Sequence, residues 1–168
     1  MTHRVNWLGS PTELAGPKLA KGDRAPSAFS LVGVEMDALR GEDLAGKSRI
    51  LVAAPSLDTP VCDVQARRWN QEAVTIPGVF VLVVTVDLPF ALKRWCGAAG
   101  VERLRTYSDH RDRSFGAAYG ALAPALGLLA RAVFVIDPDD VIQHVEYVPE
   151  VGDEPDYQAA LEAARALG

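Results

Sequence analysis

Cysteine is scarce in this sequence, with only two among 168 residues. A chain of this length can bury a normal core as one domain, residues 1–168, so it needs no disulfide framework for stability. The distance between Cys62 and Cys96 along the chain excludes a Cys-x-x-Cys redox motif and the paired ligands of a zinc site. The three histidines form no spaced ligand cluster, and we expect neither a metal nor another cofactor.

An excess of basic charge and a long apolar run are also missing. The 17 Lys and Arg residues are outnumbered by 22 Asp and Glu residues and interleaved with them, which argues against a nucleic-acid partner. The strongly apolar run of residues 79–86 is too short to cross a bilayer, and the first ten residues lack the apolar centre of a secretory signal. We therefore expect a soluble, cytoplasmic protein, in which a disulfide is more often catalytic than structural.

Apolar runs that alternate with helical patterns predict an α/β sheet covered by helices. A small N-terminal hairpin is predicted from two short segments around Gly9, residues 4–8 and 12–14. Continuous or alternating apolar residues predict five further strands, which are Ile50 to Ala54, Val79 to Val86, Arg105 to Ser108, Ala132 to Asp137 and Val141 to Val148. The last two strands pair through the turn at residues 137–140.

Three helices are predicted from capping residues and spacing. The first has Thr59 as N-cap and Pro60 at N1. Helical spacing places four of its residues on one face, which are Val61, Val64, Arg68 and Trp69. The second runs from Asp87, as its cap, to Cys96 and stops at Gly97. The third begins near Pro155 at N1 and has an apolar face made of Tyr157, Leu161 and Ala164.

Cys62 falls at position N3 of the first helix. There, free backbone N–H groups and the helix dipole favour the thiolate, which is the nucleophilic form of cysteine. A free thiol is only a few per cent ionised at neutral pH, and making it mostly ionised requires roughly 2.7 kcal/mol. A helix terminus typically contributes about 0.3–1 kcal/mol. A cation close to the sulfur is therefore expected to supply the remainder.

Arg131 is a candidate for that cation because it interrupts a strongly apolar stretch, residues 127–136. Arg67 and Arg68 lie a turn or more downstream of Cys62, and helix geometry does not direct them back toward it. A buried arginine requires a partner, since its desolvation is costly. The thiolate is one candidate partner, and a structural salt bridge to an acidic side chain is the alternative.

Cys96 has the opposite setting from Cys62. It is predicted at the C-terminus of a helix, where the dipole disfavours a thiolate. The asymmetry suggests that Cys62 attacks first and that Cys96 resolves the product. The alternative is a pair of buried, inert thiols, which are common in proteins as small apolar residues.

Four segments carry a resemblance to a known family. Residues Pro55 to Cys62 contain the pattern Pro-x-x-x-Thr-x-x-Cys and resemble the active-site loop of peroxiredoxins. Residues 87–96 resemble the resolving-cysteine helix of the thiol peroxidase subfamily, the atypical two-cysteine peroxiredoxins. Residues 127–135 and 154–157 are similar to the arginine-bearing strand and the last helix of that subfamily. The segments occur in the family's order along nearly the whole chain.

The resemblance implies a thioredoxin fold of the peroxiredoxin type with an N-terminal β-hairpin extension, a homodimer, and electrons supplied by thioredoxin. It implies that Cys62 reduces hydrogen peroxide and organic hydroperoxides and then forms an intramolecular disulfide with Cys96. Thr59 would hydrogen-bond the peroxide, Arg131 would hold the thiolate and polarise the O–O bond, and Pro55 would shield the site from water. A peroxide sensor or redox relay that uses the same two cysteines is the alternative function.

Two departures from the family pattern concern aromatic residues. Trp69 and Trp95 stand where the family more often has Phe. Both substitutions keep a large apolar ring, so we expect altered packing and retained activity. Trp95 lies beside the resolving cysteine and is expected to affect how readily that helix unwinds.

Overall fold

The computed structural model describes residues 3–167, so residues 1–2 and 168 at the ends of the predicted domain lie outside the described residues. Its centre is a seven-stranded mixed sheet with the strand order β11-β10-β5-β6-β7-β3-β4. The strands of this sheet are β3 (Ser30–Gly33), β4 (Ala38–Arg40), β5 (Arg49–Ala53), β6 (Phe80–Thr85), β7 (Arg105–Ser108), β10 (Ala132–Ile136) and β11 (Ile142–Tyr147).

Two small hairpins flank the sheet. The predicted N-terminal hairpin is confirmed, with β1 (His3–Trp7) antiparallel to β2 (Ser10–Leu14). A second hairpin joins β8 (Leu122–Ala123) to β9 (Leu128–Leu129), and it was not predicted from the sequence. Its strands are two residues long, which is too short for an apolar periodicity to be visible.

The middle of the sheet is parallel and buried on both faces. Strand β5 pairs in parallel with β6, and β6 pairs in parallel with β7. All five residues of β5 and all but the first residue of β6 are buried, as the continuous apolar runs predicted. One core cluster lies beneath the helices that follow β5 and β6, and another lies on the opposite face around Phe134 and Tyr119.

Within residues 3–167, four α-helices accompany the strands: α1 (Pro60–Glu72), α2 (Pro89–Ala99), α3 (Ser114–Ala118) and α4 (Tyr157–Arg165). Helix α1 follows β5 and α2 follows β6, so both helices begin at the carboxyl edge of the parallel strands. The predicted cap of α1 is confirmed, because Thr59 has an extended backbone and its side chain accepts a hydrogen bond from the Cys62 N–H.

The boundaries of two helices differ from the prediction. Helix α2 has Leu88 as N-cap, with no side-chain cap, and continues past Gly97 until Gly100, which adopts the left-handed conformation at its C-cap. Helix α4 is capped by the Asp156 side chain, so Pro155 precedes the cap and does not occupy N1. The predicted apolar face of α4 is confirmed, since Tyr157, Leu161 and Ala164 are buried.

The buried face of α1 also differs from the expected one. Trp69 is fully buried as predicted, whereas Val64 is 51% exposed and Arg68 lies at the surface. Cys62, Gln65 and Ala66 share the buried face with Trp69. A pattern of apolar residues could not identify this face, because it includes a glutamine.

No α-helix within residues 3–167 is both long and apolar enough to span a bilayer.

Candidate active site

Thr59 and Cys62 are brought together by the first turn of α1. The Thr59 hydroxyl donates to the Ser56 carbonyl oxygen at 2.9 Å and accepts from the Cys62 N–H at 3.4 Å. Pro60 at N1 lacks an N–H, and its fixed φ suits a helix start. This local sequence therefore places Cys62 at N3, as predicted, at the positive end of the helix dipole.

The sulfur-bearing side chain of Cys62 is shielded from water, with the residue only 1% exposed. Pro55, two residues after the end of β5, is buried as well, and Thr59 is half-buried.

Arg131 is buried immediately before β10, with only 2% of its surface exposed. Its Nε and one terminal nitrogen donate to the Val151 carbonyl oxygen at 3.1 and 2.8 Å, and the other terminal nitrogen donates to the Gln65 side-chain oxygen. No carboxylate within residues 3–167 lies within 4.0 Å of this guanidinium, so the alternative of a structural salt bridge is not observed. The partners are neutral carbonyl oxygens, and the positive charge is left without a bonded counter-ion.

Gln65 is a site residue that the sequence analysis missed. It lies one helical turn after Cys62 on the buried face of α1, and its side-chain oxygen links that face to Arg131. Its amide nitrogen has no hydrogen-bond partner in the described part of the chain although the residue is 1% exposed. The sequence indicated that a buried Arg131 needs a partner. It did not identify Gln65 as that partner, because a neutral glutamine on a helix carries no distinguishing pattern.

Asp87 also contributes to the site, although not as the helix cap that was predicted. Its carboxylate accepts from the Ser56 hydroxyl at 2.6 Å, from the Leu57 N–H at 2.8 Å and from the Thr85 hydroxyl at 2.9 Å. Asp87 thus fastens the loop that precedes Thr59 to the end of β6. The prediction failed because two of these partners, Ser56 and Leu57, lie in a segment some 30 residues earlier and occupy the carboxylate.

Cys96 lies in the last turn of α2, and its backbone oxygen accepts from the Gly100 N–H at 3.0 Å. Its sulfur is 3.2 Å from the Thr106 hydroxyl on β7, and the residue is partly exposed. Both cysteines are free thiols, so the structure represents the dithiol state. Helix α1 packs on β6 and α2 packs on the neighbouring strand β7, so the two cysteines are held on separate helices.

No group of three or more potential metal ligands occurs within residues 3–167. The site presents a buried thiol at a helix N-terminus, flanked by a threonine hydroxyl. An uncompensated guanidinium lies on the same buried side of α1. This arrangement suits nucleophilic attack by sulfur on an electrophile whose leaving atom gains negative charge.

Comparison with known proteins decides the family. The redoxin family model matches residues 20–161. The chain is 49% identical to the thiol peroxidase of Halalkalibacterium halodurans over 162 residues, which cover 96% of this chain and 97% of that protein. It is 43% identical to the thiol peroxidase of Bacillus subtilis over 163 residues, with 97% of each chain covered. The chain belongs to the thiol peroxidase family.

Solved structures support the same fold for this thiol peroxidase family member. A peroxiredoxin-like protein from Aquifex aeolicus superimposes with a TM-score of 0.90 at 37% identity, and 99% of each chain is covered. A thiol peroxidase from Chromobacterium violaceum superimposes with a TM-score of 0.87 over 97% of this chain and 95% of that one, at 24% identity. The predicted α/β fold of the thioredoxin and peroxiredoxin type is confirmed.

Proposed function

We propose that Cys62 reduces hydroperoxides and is then resolved by Cys96 within the same chain. Membership of the thiol peroxidase family makes the chain a thiol-dependent peroxidase. The observation that carries the assignment of Cys62 is its position: a buried thiol at N3 of α1, capped by Thr59. Cys96 lies in the last turn of its helix, at the negative end of the helix dipole.

In the first step the Cys62 thiolate attacks the terminal oxygen of R–O–OH. The S–O bond forms as the O–O bond breaks, and the leaving RO⁻ takes up a proton to give an alcohol, or water when R is hydrogen. Negative charge develops on the oxygens during this step, and donors fixed in advance stabilise it. We assign those roles to Arg131 and to the Thr59 hydroxyl, which would turn its proton from the Ser56 carbonyl oxygen to the peroxide, with Pro55 shielding the sulfur from water.

In the second step the Cys96 thiol condenses with the Cys62 sulfenic acid, giving a disulfide and water. The two Cα atoms must approach to within about 7 Å, so we expect local unwinding of α1, α2 or both. A dithiol reductant then restores both thiols by exchange. We assign this role to thioredoxin and expect the chain to act as a homodimer in the cytoplasm, where the thiol pool keeps cysteines reduced.

A peroxide sensor that uses the same two cysteines is not favoured, because the relatives over nearly the full chain are thiol peroxidases. The two functions differ in turnover. A peroxidase oxidises many equivalents of reductant for each chain, whereas a sensor stops after one oxidation unless its partner is present.

The proposal is tested by following peroxide-dependent oxidation of reduced thioredoxin with three forms of the chain. The unmodified chain should turn over many times. Cys62→Ser should show no turnover, and Cys96→Ser should consume about one equivalent of peroxide and then stop. Sustained turnover by Cys62→Ser would overturn the assignment. A panel of hydrogen peroxide and alkyl hydroperoxides in the same assay would define the preferred substrate.

A further inference from the structure

We propose that Asp63 and Trp95 form a positioning pair that controls how fast the oxidised Cys62 is resolved by Cys96. The inference rests on the proposed function. Asp63 directly follows Cys62 in α1, and Trp95 directly precedes Cys96 in α2. A hydrogen bond between these two residues joins α1 and α2 directly beside the two cysteines.

The contact between the pair is short and shielded. The Trp95 indole Nε1 donates to the Asp63 Oδ1 atom at 2.7 Å, and Trp95 is 8% exposed. A hydrogen bond to an ionised carboxylate is shorter and stronger than one between neutral groups. A phenylalanine at position 95 would retain the ring but could not make this bond, so the bond depends on the tryptophan that departs from the family pattern.

Arg67 orients the carboxylate for this contact. Its Nε lies 3.1 and 3.0 Å from the two Asp63 oxygens, and its guanidinium carbon is 5.7 Å from the centre of the Trp95 ring. The side chains of the ion pair are 34% and 46% exposed, so the pair by itself adds little stability. The ion pair instead fixes the orientation of the Asp63 carboxylate, so that one of its oxygens faces the Trp95 indole.

The bond between Asp63 and Trp95 opposes the movement that disulfide formation requires. In the dithiol state the Cys96 sulfur contacts Thr106 on β7, and Cys62 is buried in the first turn of α1. Unwinding the end of either helix displaces the residue next to the cysteine, and that residue is one of the pair. The hydrogen bond must therefore break before the S–S bond can form, but it need not break when Cys62 first attacks the peroxide.

Two reactions compete for the Cys62 sulfenic acid, and the pair sets the balance between them. Condensation with the Cys96 thiol yields the disulfide and one water molecule. Attack on a second hydroperoxide yields a sulfinic acid and an alcohol or water, which removes the chain from the cycle. A slower condensation leaves the sulfenic acid exposed to peroxide for longer. The pair thus raises sensitivity to over-oxidation while it holds the two helices in place.

The test replaces Trp95 by Phe, which keeps the ring and removes the indole N–H. We expect disulfide formation after a peroxide pulse to become about three- to tenfold faster, as for the loss of one hydrogen bond to a partly exposed charged group. The first reaction with peroxide should stay within about twofold of the unmodified rate, since neither side chain is assigned to the reacting atoms. Rapid acid quenching, alkylation and mass spectrometry measure the disulfide and the sulfinic acid in the same samples.

Two further variants separate the hydrogen bond from loosened packing. Asp63→Ala removes the acceptor and should accelerate condensation similarly, and the double variant should be no faster than the faster single one. Trp69→Phe makes the same chemical change on α1, where the indole N–H has no partner within residues 3–167, and should leave condensation unchanged. If Trp95→Phe does not fold, the rate of condensation in Asp63→Ala tests the proposal.

The pair proposal is overturned if the unmodified chain turns over with peroxide but Trp95→Phe and Asp63→Ala condense at its rate. It is also overturned if Trp69→Phe accelerates condensation equally, or if the two single effects multiply in the double variant. Absence of any peroxide consumption by the unmodified chain would instead overturn the proposed function on which the pair depends.

Discussion

Replacing Arg131 by Met should slow the attack of Cys62 on peroxide. Within residues 3–167, Arg131 donates only to the Val151 carbonyl oxygen and the Gln65 side chain, so its charge is not paired with a carboxylate. Gln65 lies one turn after Cys62. Side chains three residues apart on a helix are about 5–6 Å from each other, so the contact with Gln65 holds the guanidinium on the side of α1 that carries the Cys62 sulfur.

The size of the effect follows from the negative charge that develops on the peroxide oxygens. Removing one donor that is fixed in advance toward such charge typically costs about 2.7–4 kcal/mol, which is roughly a 100- to 1000-fold loss in rate. We therefore expect the first reaction of Arg131→Met with peroxide to be about 100-fold slower or more.

The assay is the stopped-flow rate of the first reaction with peroxide in a Cys96→Ser background, where only one thiol reacts. Arg131→Lys is the matched control, because it keeps the charge but cannot reproduce three hydrogen bonds, and its rate should lie closer to the unmodified one. The unfolding midpoint of each variant is measured in parallel. An unchanged rate in a folded Arg131→Met variant would refute the reasoning.

Two further predictions concern the cap and a buried acid. Thr59→Val should lower the free energy of unfolding, measured by urea titration, by only about 0.5–1 kcal/mol, because the hydrogen bond from the Cys62 N–H is long. It should also slow the first reaction with peroxide about 100-fold in stopped-flow assays. Thr59→Ser should restore both values. Burial raises the pKa of Asp109 to about 6. The contribution of Asp109 to the free energy of unfolding is therefore greatest below about pH 4, and it is lost as the pH rises through 6. The difference in unfolding free energy between the unmodified chain and Asp109→Asn should therefore fall by on the order of 2–3 kcal/mol from pH 4 to 7, and a difference that rises would contradict this.

Features of the site that depend on local sequence could be predicted. Thr59, Pro60 and Cys62 lie within four residues of one another, and capping preferences fix their arrangement before any tertiary contact forms. The buried strands β5 and β6 were predicted for a similar reason, because a continuous apolar run leaves few alternatives. The predicted end of α2 at Gly97 was wrong, because Gly97 lies within the helix and the left-handed conformation of the C-cap falls on Gly100.

Features that depend on distant contacts could not be predicted. Asp87 is suited to cap α2 by its position, but Ser56 and Leu57 occupy its carboxylate in the fold. Gln65 is polar and yet buried, because Arg131 on another element needs an acceptor. In both cases a polar side chain is satisfied by a partner remote in sequence, and a periodic pattern contains no information about such partners.

The central claim is that Cys62 and Cys96 form a disulfide in response to peroxide. The most direct measurement is peptide mapping by mass spectrometry of the fully reduced chain after one equivalent of hydrogen peroxide, with alkylation of the remaining thiols. We expect the peptides that contain Cys62 and Cys96 to be joined within one chain, and Thr59→Val to reach the same product more slowly. Recovery of both cysteines as alkylated thiols, while the peroxide is consumed, would contradict the claim.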